Sequence, residues 1–421
     1  MFLRLLAAAL GGLLWGAALA APAELSLPDA FARALAQHPE LRARPLQQDQ
    51  LDAARQAAAL RTPLSVNLEL ENALGSGEAR ALRGSETTLS LAGVLERNDT
   101  RRARVAVVDA QRAALDAPFA AQRLDLLAEV ARRYLTLIAA DQQIAIAQTD
   151  VATRSITLIA VAKRHRAGAL PQAAQFSAEA ALSQAQLAVA RAQNEADVAR
   201  QFLAALWNER APQWQARAQD AAGLLVLAEI DPLPVLAAQL ETLPDLARFA
   251  SDARLAEARV QLAQSHARSE VSWQLGARWR AETDDAALVA GVSLPLGSAR
   301  RAALEQRQAR ADVALAQVQR ETQQQALYAT LVQAHGQYRS AQHDVRRLTT
   351  HVLPQLEQAA AAQVRAFAAG ASTYLEVSQA QAEIINAQRQ RLEAAVSAQR
   401  ALIELQRLTG APQLAAAGEQ P

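Results

Sequence analysis

The sequence predicts a mainly α-helical fold with a small β part, assembled from one structural unit used twice. Duplication is the first observation. Leu27-Pro28 opens a helix that ends near His38-Pro39-Glu40-Leu41, and Leu233-Pro234 ahead of Leu243-Pro244-Asp245-Leu246 repeats it. Leu89-Ser90-Leu91 returns as Val292-Ser293-Leu294, each followed at once by an Arg-rich helical run. The turn Arg166-Ala167-Gly168-Ala169 returns as Ala368-Ala369-Gly370-Ala371. The copies lie about 200 residues apart, far beyond a solenoid period. The second observation is helix length. The third is a set of short segments in which apolar and polar residues alternate.

Residues 1–20 read as a secretory signal, with Arg4 at the positive end, Leu5 to Leu19 as the apolar stretch and Ala18-Leu19-Ala20 as the cleavage site. Residues 21–215 form the first repeat and residues 216–421 the second. Val66-Asn67-Leu68-Glu69-Leu70-Glu71 alternates strictly and reads as a strand, as does Thr88-Leu89-Ser90-Leu91. From Arg97 to Ala167 the sole proline is Pro118 and no glycine intervenes. One helical run of roughly 70 residues, on the order of 100 Å, is expected there. Gly168 ends it in the left-handed conformation, and a return helix runs from Gln172 to about Trp207. A Pro- and Gly-punctuated segment, Glu209 to Pro234, joins the repeats and wraps the waist.

The second repeat supplies strands over Ser272–Arg280 and Leu288–Leu296. In the first of these, Trp273, Leu275, Ala277 and Trp279 share one face, and Ser, Gln, Gly and Arg share the other. A long helix from Ala299 to Ala369 contains only Gly336 and Pro354 as breakers, Gly370 turns the chain, and a return helix runs from Thr373 to about Leu408. Their Ala-rich faces permit close helix–helix approach, and such lengths demand an extended bundle or coiled coil.

Composition removes whole classes of function. The formal net charge of +1 gives no bulk pull toward nucleic acid. No cysteine is present, which excludes disulfides, thiolate metal sites and a lipid-modified N-terminal cysteine. Past residue 20 no apolar run approaches the 18 or so residues of a membrane helix. There is no phosphate loop, HExxH, Gly-x-Ser-x-Gly or cysteine nucleophile, so no enzyme and no cofactor are expected. His335, His343 and His351 stand about 12 Å apart along a helix, too far for one metal ion.

The strands decide between two architectures. A soluble periplasmic coiled-coil scaffold satisfies the helices alone. Alternation over 8 to 10 residues, four times in an exported chain, is the signature of membrane β-strands with one lipid face and one watery face. Four strands cannot close, and an open edge in hydrocarbon leaves backbone groups unpaired. Copies must pool their strands. Three would supply twelve, with the polar faces lining a lumen and long helices continuing below; the strand count alone demands oligomerisation without selecting three.

Several residues resemble those of a known family. Leu25-Ser26-Leu27-Pro28-Asp29-Ala30-Phe31, followed by His38-Pro39-Glu40-Leu41, resembles the opening of TolC-like outer-membrane efflux proteins. The turns at Gly168 and at Gly370-Ala371-Ser372-Thr373-Tyr374-Leu375-Glu376-Val377 resemble that family's hairpin tips. Val66 to Gly77 and Thr87 to Arg102 resemble strands of its heavy-metal branch, the cobalt-zinc-cadmium type, although Arg97-Asn98-Asp99-Thr100 replaces the usual Gly-Gly-Lys. The resemblance implies a trimeric, 12-stranded outer-membrane β-barrel of a Gram-negative bacterium, continuous with a periplasmic α-helical barrel. It implies a periplasmic adaptor protein and a proton-driven inner-membrane transporter as partners, outer-membrane lipid around the barrel, and a passive duct for metal cations. Export of drugs or proteins is the alternative within the family.

The same resemblance assigns sites. Gly168, Ala169, Gly370 and Ala371 form the periplasmic tip turns, with Arg164 and Arg166 in a basic rim that meets the adaptor. Cations there also suit the negative end of the helix dipole. Glu376 and Gln379 form the pore constriction, where converging carboxylates favour cations and raise one another's pKa; Ala174 takes the matching place in the first repeat. Trp273 and Trp279 mark the membrane interface.

Overall fold

A computed structural model of the chain describes residues 23–410. The signal expected over residues 1–20 lies outside the described residues, as does the end of the C-terminal tail. The first half contains strand β1 (Ala23–Leu25), helices α1 (Leu27–Gln37) and α2 (Pro39–Ala59), strands β2 (Ser65–Glu71) and β3 (Glu86–Leu95), and helices α3 (Asn98–Ala113), α4 (Asp116–Arg166) and α5 (Gln172–Ala204). The second half continues with β4 (Trp214–Ala216), α6 (Ala218–Gly223), α7 (Leu233–Gln239), α8 (Pro244–Ser265), β5 (Val271–Arg280), β6 (Asp285–Ser293), α9 (Ser298–Arg347), α10 (Leu353–Ala369) and α11 (Tyr374–Thr409).

Helix α1 begins where the sequence places it. Ser26 and Asp29 form a reciprocal capping box with Pro28 in the first turn. The uninterrupted 97–167 run does not form, because α3 stops at Ala113 and α4 restarts at Asp116. Pro118 explains the break: it has no N–H for the carbonyl of Ala114, and its ring crowds that carbonyl. In the second repeat Pro354 acts elsewhere. A π-helical turn, Leu348–Val352, separates α9 from α10 just before it. The helical span 99–166 also carries an 18-residue window with mean hydropathy 1.3, long and apolar enough to cross a membrane. The sequence reading recognises no such stretch. Val130, Tyr134, Leu137 and Ile138 of this span are buried in the protein's own core.

The four-stranded sheet runs β2-β3-β5-β6, antiparallel throughout. Its register aligns Leu68 with Leu89, Leu89 with Ala277, and Ala277 with Leu288, so apolar residues of all four strands share one face. That face is bare: Leu68 is 73% exposed and Leu288 85%. The opposite face holds Thr88 and Ser90, both buried. This is the inverse of a soluble sheet. A single chain forms no closed barrel; β2 and β6 are free edges. The fourth strand spans 285–293 rather than 288–296, because Pro295 cannot donate to the ladder.

The core sits at the waist, below the sheet. Sequence reasoning misses a two-stranded parallel sheet there, in which β1 pairs with β4. Both strands are three residues long and too short for a periodicity signal. Trp207 and Trp214 donate their indole N–H groups to one oxygen of Glu209, at 2.6 and 3.1 Å. The Tyr134 hydroxyl lies 2.5 Å from the Asp220 carboxylate and 3.0 Å from the Leu25 carbonyl. Burial first, then the Asp220 carboxylate, pushes the phenol pKa far up, so it remains a donor. Arg407 bridges Asp125 and Asp245 at 2.7 and 2.9 Å, joining α11 to both repeats. Away from the waist the packing is thinner. Ala178, Ala185, Ala192 and Ala199 on α5 are buried at seven-residue spacing, as are Ala302, Ala309 and Ala316 on α9.

Tyr134→Phe keeps the ring and strands the Asp220 carboxylate beside it. A loss of about 1–3 kcal/mol is expected, read as a lower melting temperature and faster proteolysis near β1. An unchanged melt and digestion pattern would show that this contact does not hold the N-terminal strand.

Candidate functional site: the hairpin tip and the sheet face

Both hairpins end in the same backbone device. At the first tip, Ala169 N–H donates to the Arg164 carbonyl at 2.9 Å and Gly168 N–H to that of His165 at 2.9 Å. At the second, Ala371 N–H donates to Ala366 at 2.9 Å and Gly370 N–H to Phe367 at 3.0 Å. These are Schellman motifs, and each needs a left-handed residue, met by Gly168 (φ 71°) and Gly370 (φ 82°). The two tips then differ. Helix α5 starts after Pro171 with no side-chain cap. Helix α11 starts at a capping box between Thr373 and Glu376. One oxygen of Glu376 accepts from Thr373 N–H at 2.8 Å, Ser372 Oγ at 2.8 Å and Thr373 Oγ1 at 3.1 Å.

Glu376 is therefore the acid that starts α11 as well as the expected constriction residue. Hydrogen bonds from the Thr373 backbone, then the Ser372 and Thr373 hydroxyls, hold its carboxyl below the usual carboxylate range. Within one protomer the shift is thus opposite to the rise expected from converging acids. Gln379 is exposed one turn later. Sequence reasoning misses the remainder of this helix face. Glu383, Asn386, Gln390 and Glu393 are exposed on the same side of α11, at alternating spacings of three and four. That spacing is legible in the chain, and it lengthens the acidic feature from one position to a stripe. Ala174 packs into the small apolar cluster of Val161, Ala178, Phe367 and Val377, so the first repeat presents no matching acid.

Arg164 differs from its expected place on an open rim. It is half-buried, with its guanidinium 4.6 Å from the centre of the Phe367 ring and donating to the Phe367 carbonyl. It joins one hairpin to the other. Lys163 and Arg166 remain exposed. Above this joint Gln381 donates to Thr157 Oγ1 at 2.8 Å, and Asp150 and Arg154 form a 2.7 Å pair with both side chains largely buried.

At the far end, the sheet face orders its residues by depth. Trp273 lies at the helix end of the apolar face and Trp279 at the loop end, about 20 Å apart along the strand. Trp279 is exposed and donates to Asp284 at 3.1 Å; Trp273 is half-buried and so close to Gly93 that a Cβ there would stand 3.1 Å from its ring. On the polar face Arg278 binds Glu86 at 2.9 Å, Glu71 at 3.1 Å and Thr88 at 3.0 Å, while Gln274 donates to Ser90 at 2.8 Å. A polar network inside and bare leucines outside fit a watery lumen within lipid. Among the described residues no cluster of His, Asp and Glu could hold a metal ion.

The profile of the outer membrane efflux protein family matches residues 30–209 and 235–411. The chain belongs to that family. The efflux protein is 28% identical over 302 residues to the cobalt-zinc-cadmium resistance protein CzcC of Cupriavidus metallidurans, covering 70% of this chain and 69% of that one. Its fold is like that of CusC, with a TM-score of 0.74 at 17% identity over 92% of both chains. The outer-membrane channel OprN gives 0.70 at 19% identity, covering 92% of this chain and 90% of its own. The open state of the Neisseria gonorrhoeae channel MtrE gives 0.68 at 18%, covering 91% and 88%. The efflux protein is accordingly an outer-membrane protein of a Gram-negative bacterium.

Thr373→Ala removes the cap of α11 and costs that turn about 1 kcal/mol, so amides 374–377 should exchange roughly fivefold faster. A carboxylate with a depressed folded pKa contributes stability above the ordinary range and loses it as pH falls through its folded value. Acidification below the ordinary carboxylate range should therefore loosen the same turn, after correction for intrinsic exchange, and should not do so in Glu376→Gln. Equal pH dependence in both proteins would refute the capping role.

Proposed function

We propose that this efflux protein is the passive exit duct of a tripartite pump, a homotrimer that passes metal cations delivered by an inner-membrane transporter and a periplasmic adaptor. One observation carries the reading: a sheet with a bare apolar face, a polar face and two free edges. The alternation β2-β3-β5-β6 leaves β2 and β6 antiparallel to each other, so β6 of one copy can pair with β2 of the next without any change of direction. Every added copy keeps the barrel even-stranded. Three copies make twelve strands, wide enough for a water-filled lumen. Such a duct performs no catalysis and holds no cofactor; transport is powered from the inner membrane.

The remaining assignments belong to the same duct. Trp273 and Trp279 sit at the two water–lipid interfaces. The turns Gly168-Ala169 and Gly370-Ala371 form the periplasmic tip, with Arg166 offered to the adaptor and Arg164 holding the two hairpins in the arrangement the adaptor meets. Glu376 and Gln379 face the constriction, and Glu383 and Glu393 extend its acidic lining upward. A carboxylate stripe on a water-filled axis favours cations by focusing the field. Likeness to a protein named for cobalt, zinc and cadmium resistance favours divalent metals over drugs or proteins as the cargo.

Solubilised outer membranes should yield an oligomer of three chains that resists cold detergent and separates on heating; a single-copy, detergent-independent species would end the proposal. In planar bilayers Glu376→Gln should lower the cation-over-anion permeability ratio by about threefold or more, and adding Glu383→Gln should lower it further. Identical selectivity would remove the constriction assignment while leaving the duct intact. Deleting the gene should sensitise cells to cobalt, zinc or cadmium salts; sensitivity to drugs alone would reassign the cargo.

A further inference from the structure

We propose that the junction between sheet and helices carries a belt of arginines that binds the phosphate headgroups of anionic phospholipids in the adjoining membrane leaflet. Arg61 precedes β2, Arg102 lies in the second turn of α3, and Arg300 and Arg301 occupy the first turn of α9. All four are exposed. Among the described residues none of these guanidinium groups makes an ion pair or hydrogen bond. Arg97 and Arg268 stand beside them and share a single acid, Asp99, at 3.1 and 3.6 Å. Cations thus outnumber acids at this level, although the whole chain carries a net charge of only +1.

Helix stability does not account for the placement. Helix α9 has no acid in its first turn and no side-chain cap, and two cations there oppose the positive end of its dipole. In the first repeat Asp99 opens α3 and Arg102 follows a turn later, so the broken rule belongs to α9, where it points to a partner outside the chain. The neighbouring surface names that partner. Directly above the belt stand exposed Leu64, Leu95, Leu294 and Leu296, with Trp273 among them. Apolar, then aromatic, then cationic is the order in which a protein crosses from hydrocarbon to headgroup. Guanidinium presents a planar fork that matches phosphate oxygens in pairs. The proposal rests on the outer-membrane location of the family and is independent of cargo, adaptor and copy number.

The test uses the full-length protein in a non-ionic detergent, with dioleoylphosphatidylglycerol as probe and dioleoylphosphatidylcholine as control. Native mass spectrometry counts retained lipid, and melting curves read the stabilisation. The unaltered protein should retain and be stabilised by phosphatidylglycerol more than phosphatidylcholine, with the difference shrinking as salt rises. Each neutralised arginine should weaken headgroup binding by about fivefold. The variant R61Q/R102Q/R300Q/R301Q should therefore lose the preference, and the corresponding four-lysine variant should keep most of it. If the fourfold variant does not fold, R300Q/R301Q alone should lose part of the preference by the same count. Equal binding of the two lipids by the unaltered protein would overturn the proposal. So would an unchanged preference in the glutamine variants, including one accompanied by altered ion selectivity, which would place these arginines on the lumen.

Discussion

The constraint on which the rest depends is the backbone of the sheet. A β-strand in hydrocarbon must pair every N–H and C=O along both edges, and this chain supplies too few strands to close on itself. Its bare leucines favour an apolar surrounding on one side, and its Arg278–Glu86–Thr88 network suits a watery one on the other. The helices inherit the same order. α2 packs on α3, α3 on α8 and α8 on α9, repeating β2-β3-β5-β6 one level down. Sheet and helical wall are one curved layer, and edges free in the upper part continue as free helix faces below. In the proposed assembly, closure of the sheet carries the helices into a closed wall.

That wall is thin, which explains its composition. A single layer of helices cannot enclose a thick apolar core, so cohesion comes from close backbone approach. Alanine every seventh residue on α5 and α9 keeps the seam narrow and on one side. Large apolar residues gather mainly where segments overlap, at the waist, with a small second cluster at the tip. There Tyr134, Trp207, Trp214 and Leu137 are all nearly fully buried beneath the segment that joins the repeats. A substitution at the waist empties a packed core; one in the wall alters the spacing of two helices.

Much of this is legible in the chain. Strict alternation marks β2 and β5 because each face meets a different solvent, and glycine marks both tips because only it adopts the left-handed turn freely. What escapes the sequence has physical causes. Pro118 and Pro354 are equally visible, yet one splits a helix and the other comes after a π turn, and local propensity does not separate these outcomes. β1 and β4 are visible only through their pairing. Arg164 reads as a rim cation because its partner, the Phe367 carbonyl, lies some 200 residues away in sequence. The acidic stripe beyond Glu376 is different: its three-and-four spacing stands in the sequence and needs only the knowledge of which helix face is exposed.

Cohesion between the two hairpins changes character along their length. At the waist the contact between α4 and α11 has an apolar centre, in which Val130, Leu137 and Ile138 share one cluster with Leu392, Ala395 and Ile403, flanked by the Arg132–Glu404 and Arg407–Asp125 ion pairs. Toward the tip the same seam holds the Asp150–Arg154 pair, the Thr157–Gln381 hydrogen bond and the Arg164 contact with Phe367, with only a small apolar cluster between them. Separating apolar surfaces costs about 25 cal/mol per Å². A hydrogen bond that water can replace costs a net of about 0.5–1.5 kcal/mol. The seam is therefore hardest to part at the waist and easiest at the tip, where the two hairpins carry different charges and different caps. In the proposed duct the waist holds the hairpins together while the exposed turns remain adjustable, and this gradient lets one continuous pair of hairpins meet both demands.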